Sequence, residues 1–88
     1  MEGWIDRVAA AFGEEPLAPE QVDELLRAAR DVAHGVERRL TPVATFLAGM
    51  GAGRARAAGA SSDHAIGDAL ETLRSLLPEP EQEPSPSG

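Results

Sequence analysis

The chain has 88 residues, a formal net charge of −7, no cysteine and a 42% share of hydrophobic residues. That length sustains one domain with one core, and the missing cysteines exclude disulfides and thiolate-based metal or redox sites. The acidic balance argues against binding to nucleic acid or to an anionic membrane, both of which reward a basic surface.

The N-terminal Met-Glu-Gly-Trp lacks the basic start and long apolar stretch of a signal peptide. No run approaches the roughly 18–20 apolar residues of a membrane span, so a cytoplasmic location is expected. Trp4, Ile5, Val8, Ala9 and Phe12 recur at helical spacing and Gly13 suits a left-handed helix end, which predicts a first helix over residues 2–12. Trp4 and Phe12 share its apolar stripe and are expected in the core. A connector follows, with Leu17 as its anchor. Pro19 then opens a second helix whose first turns carry Glu20, Asp23 and Glu24, where the helix dipole favours negative charge.

The strongest periodicity lies in that second helix, expected over 19–39. Val22, Leu25, Leu26, Ala29, Val32, Ala33, Val36 and Leu40 recur at spacings of three and four, as a buried stripe does. Thr41-Pro42 then signals an N-cap and first-turn proline for a third helix over 42–56, antiparallel to the second. Val43, Phe46, Leu47 and Met50 are its apolar positions. Gly49, Gly51 and Gly53 each cost about 0.5–1 kcal/mol relative to alanine inside a helix, and close approach of a neighbouring backbone within the bundle is the expected reason. A fourth helix over 62–77, capped by Ser61 or Ser62, buries Ile66, Ala69, Leu70, Leu73, Leu76 and Leu77. Leu26 and Leu73 are thus expected to be core residues, each costing about 2–5 kcal/mol when cut to alanine.

These elements make an all-α, compact four-helix bundle-like domain over 1–77. The tail over 78–88, rich in Pro, Glu and Ser, has nothing apolar to bury and is expected to be disordered. No nucleophile elbow, phosphate loop, zinc-protease helix or dinucleotide loop occurs in the sequence, and a domain this small has little interior in which to shift a carboxylate's protonation. No catalytic residue, cofactor or metal is assigned. With only His34 and His64, no ligand spacing for a metal arises.

Charge is spread unevenly. Glu79, Glu81 and Glu83 account for three of the seven net negative charges, whereas Arg27 to Arg56 holds six arginines against Asp31 and Glu37. Arg27, Asp31, His34 and Arg38 are separated by four, three and four residues and line one helical face, opposite the apolar stripe. One reading is a solvated face with Asp31 paired to Arg27. The other is a recognition surface of Asp31, His34 and Arg38, joined by Arg54 where the end of the third helix lies alongside, that meets an acidic partner or anionic ligand.

The string Ala29-Arg30-Asp31-Val32-Ala33-His34-Gly35-Val36-Glu37-Arg38, with Pro42, Thr45-Phe46-Leu47, Gly49 and Ala52-Gly53-Arg54, resembles a small family of actinobacterial helical domains of unknown function. The likeness extends to Trp4-Ile5. In that family the domain occurs alone or fused to a nucleotidyltransferase resembling molybdenum cofactor guanylyltransferase. The resemblance implies an accessory role in molybdenum cofactor maturation, with a nucleotidyltransferase or a molybdoenzyme as protein partner, and no transferase activity, since the transferase domain is missing from this chain. A non-enzymatic interaction domain is therefore the leading expectation. Its rivals are a binder of a phosphate-bearing nucleotide or pterin, which requires a concave basic pocket, and a structural homodimer, which requires an exposed patch of small and aliphatic residues.

Overall fold

The computed structural model describes residues 2–78. Among the described residues four α-helices follow one another, α1 (Glu2–Ala11), α2 (Pro19–Gly35), α3 (Thr41–Ala57) and α4 (Ser62–Ser75), with a 3-10 turn at Arg38–Leu40. No strand occurs among the described residues, so the fold is the expected all-α one. The tail expected to be disordered lies, beyond Pro78, outside the described residues.

Local chemistry places the helix ends. Gly13 adopts φ 74°. It ends α1 in a left-handed turn, in which the Glu14 amide reaches back 2.8 Å to the carbonyl of Ala9. Pro19 occupies the first turn of α2, and the Gln21 side chain accepts from the Ala18 amide at 2.8 Å, satisfying one of the unpaired donors there. Gly59, at φ 111°, closes α3 with the Ala60 amide donating to the Ala55 carbonyl. Ser61 caps α4 by accepting from the His64 amide. Gln21 also donates to Asp63 in the first turn of α4, which locks the starts of α2 and α4 together.

The second helix is shorter than expected. It stops at Gly35, where Val36 turns to φ −120°, ψ −84°, and the chain runs extended through Glu37 before the 3-10 turn. Glycine is a weak helix former, and the five residues from Val36 to Leu40 are needed to reverse the chain into α3. The side chains of Leu77 and Pro78 lie 3.9 and 4.0 Å from where a Cβ on Gly35 would stand, so the end of α4 is seated on this turn.

A core of small residues unites α2, α3 and α4. Its fully enclosed members are Ala28, Val32, Ala65 and Leu70, at 0–3% exposure, and among the described residues no large side chain is completely buried. Along α3, Ala44, Ala48, Ala52 and Ala55 are all half-buried. Alanine faces let helix axes approach at the short end of the 8–10 Å range. A consequence is that large apolar side chains point elsewhere. Leu26 is 59% exposed, which corrects its expected place in the core: the buried face of α2 is centred on Ala28 and Val32, rotated away from Leu26. Val36 and Leu76 are exposed as well, and Leu73 is half-buried.

The first helix stands apart. Among the described residues no Cα of α1 lies within 8 Å of a Cα in another helix, and Trp4 and Phe12, expected in the core, are 55% and 79% exposed. No helix among the described residues is long and apolar enough to cross a membrane.

Cutting Leu70→Ala should therefore cost about 2–4 kcal/mol in chemical denaturation, whereas Leu26→Ala should stay within about 1 kcal/mol. Ala28→Leu, which adds bulk where the helices approach, should destabilise by about 1–3 kcal/mol.

Candidate functional site

The four residues expected to form a recognition surface do not converge. Asp31 is half-buried and faces α4, where its Oδ2 lies 3.6 Å from Arg74 Nε. The same arginine reaches Glu24 Oε2 at 3.4 Å through Nη1. Asp31 therefore pairs across the bundle with Arg74 and not along its own helix with Arg27. His34 is exposed in the last turn of α2. Arg38 is exposed on the 3-10 turn and so has left the α2 face on which the helical register had placed it. Arg54 lies at the far end of α3, thirteen residues or about 20 Å of helix rise beyond Thr41. His34 and Arg38 remain neighbours at one end of the molecule, and Arg54 belongs to the other.

That other end is organised by Arg56, whose Nη1 donates to Glu14 Oε1. This ion pair ties the connector after α1 to the end of α3. Arg74, Glu24 and Asp31 are partly exposed, and their pairing holds α2 against α4 while contributing little stability. Beside them, Asp63, His64, Asp68 and Glu71 line a shallow acidic cleft. No group of three His, Asp or Glu capable of holding a metal occurs among the described residues.

A second concavity, of similar size, is apolar. An open groove of about 660 Å³ runs between α1 and the α3–α4 face. Ile5, Val8, Ala9 and Phe12 of α1 form one wall, and Phe46, Gly49, Ala52 and Gly53 of α3 with Ile66 and Leu70 of α4 form the other. Its charged residues are confined to Glu14, Glu15 and Arg56. A Cβ placed on Gly49, Gly51 or Gly53 would meet nothing within 4 Å, which corrects the expectation that these glycines admit a neighbouring backbone inside the bundle. They border open space.

Helical periodicity alone did not locate this groove, because α3 offers two apolar faces and periodicity cannot say which is buried. The alanine spacing at 44, 48, 52 and 55 was the available signal: a face of small residues seats closely and leaves Val43, Phe46 and Met50 pointing outward.

Fold and groove define a small all-α domain with an apolar concavity on one side and an acidic cleft on another. The chain belongs to the family described as Domain of unknown function (DUF6457), which matches residues 1–85. No curated protein and no solved structure matches it.

Replacing Arg74 by methionine, which keeps the stem and removes the charge, should lower stability by about 1 kcal/mol, with the loss shrinking in 1 M salt. His34→Ala combined with Arg38→Ala should leave stability within about 0.5 kcal/mol by the same denaturation assay.

Proposed function

We propose that this chain is a non-enzymatic, cytoplasmic accessory domain that works by protein–protein contact, and that the groove between α1 and the α3–α4 face is its docking surface. The observation that carries this reading is the exposure of Phe12 and Phe46 on the two walls of one open, apolar concavity. A monomer does not ordinarily leave aromatic side chains facing each other in water, and contiguous apolar patches of this kind mark contact sites. A nucleotide or pterin binder needs cationic groups converging on a phosphate. Here Arg38 and Arg54 sit at opposite ends of α3, and Arg56 is engaged by Glu14.

The sequence resemblance supports molybdenum cofactor maturation as the setting, with a nucleotidyltransferase or a molybdoenzyme as the heterologous partner to try first. Exposed His34 and Arg38 offer such a partner a separate, charged contact away from the groove.

The test is titration calorimetry of the purified domain against the candidate nucleotidyltransferase and against GTP. The double variant Phe12→Ser, Phe46→Ser should weaken the protein contact at least tenfold while keeping the helical circular dichroism, and GTP should give no heat at millimolar concentration. Unchanged affinity in the variant, or saturable micromolar GTP binding, would overturn the proposal.

A further inference from the structure

We infer that the acidic tail beyond Pro78 folds back on its own molecule and covers a basic stripe of Arg27, Arg30 and His34 on α2, so that the chain carries its own competitor for that surface. The apolar groove is not involved. These three residues recur at spacings of three and four, which places them on one face of the helix, and all three are exposed. Arg38 continues the positive charge just past the helix end and is exposed as well. Among the described residues none of the four lies within 4.0 Å of a carboxylate, whereas Arg39 is paired with Glu37 at 3.0 Å and Asp31 is turned to Arg74.

Covalent connection selects the occupant. Leu77 Cδ2 and Pro78 Cδ lie 3.9 and 4.0 Å from the Cβ position of Gly35, the residue next to His34. The tail therefore starts at the end of the stripe. Glu79, Glu81 and Glu83 follow, and no basic residue occurs after Pro78. A chain advances at most about 3.3–3.6 Å per residue, so Glu79 stays within about 4 Å of Pro78 along the backbone and Glu83 within about 18 Å. From Gly35 back to Arg27 the helix rises about 12 Å, a length that the three carboxylates can span. A tether this short holds them at an effective concentration in the millimolar range.

Charge directs them to α2. Asp63, Asp68 and Glu71 of α4 line a cleft with Glu24 and repel a run of glutamates. The third helix carries no ionisable side chain before Arg54, near its far end. Arg74, four residues before Pro78, already meets Glu24 and Asp31. That leaves Arg38 and the α2 stripe, which begins beside Gly35. Exposed ion pairs are individually weak, and salt screens them over a Debye length of about 8 Å at physiological strength. A partner must therefore present several carboxylates at once to displace the tail, and a single anion does not suffice.

A nitroxide attached at Ser85→Cys, in a chain with no other thiol, should broaden the backbone amide resonances of Arg27 to Arg38 at about 20 mM salt. The broadening should fall by about half or more in 0.5 M salt, and equally in the full-length variant Glu79→Gln, Glu81→Gln, Glu83→Gln. No broadening in the wild-type tail, or the same broadening in the glutamine variant, would overturn the inference. So would broadening in a mixture of nitrogen-15 chains without the nitroxide and unlabelled chains that carry it, because the tail of a second copy would then be the occupant. Anisotropy of a fluorescein-labelled oligoglutamate peptide supplies a second measurement. The peptide should bind the glutamine variant at least about threefold more tightly than the wild type, and adding Arg27→Gln and Arg30→Gln to both should abolish the difference. Equal affinity for wild type and glutamine variant would overturn the competition.

Discussion

Alanine at the helix contacts is the constraint from which the rest of this structure follows. Ala28 and Ala65 are almost fully enclosed, and Ala44, Ala48, Ala52 and Ala55 of α3 are half-buried. Such faces bring helices together with no loss of side-chain rotamer entropy. They also bury little area, so each contact adds little hydrophobic free energy. The molecule thereby achieves closeness among α2, α3 and α4 but not a thick core, and its larger apolar residues are left to the outside. In an 88-residue chain without disulfides, that distribution leaves stability resting on few buried side chains.

Polar contacts supply geometry where the core supplies little energy. Gln21 bridges the Ala18 amide and Asp63, Arg74 bridges Glu24 and Asp31, and Arg56 holds Glu14. Each joins segments far apart in sequence. Each is also partly wet, so none contributes much stability alone; the Gln21 and Arg74 contacts together set the rotation of α2 about its axis, and the Arg56 contact ties the connector to α3. That rotation presents Ala28 to the interior and swings Leu26 outward.

Much of this was legible in the residues. The number of helices, their approximate spans, the left-handed Gly13, the first-turn Pro19 and the Ser61 cap all follow from local rules that act within a few positions. What local rules miss is which of two apolar faces a helix buries. Leu26, Phe12 and Phe46 fit a helical stripe, but a stripe is satisfied equally by an interior and by a partner. Arg38 was misplaced for a related reason. Register along α2 is a sound guide only as far as the helix continues, and Gly35 ends it three residues too early for Arg38 to share a face with Asp31. Arg74 could not be singled out beforehand, since its importance arises only when α4 is laid against α2.

The separation of α1 from the other helices has a thermodynamic meaning of its own. A ten-residue helix is marginal in water when it stands alone, because nucleation is costly and few hydrogen bonds repay it. The connector anchors this one at its C-terminal side, through Arg56 and Glu14, while its apolar wall faces an open groove. The ten residues of α1 are thus the part of the fold that opens at the lowest free energy, ahead of the three helices that pack on one another.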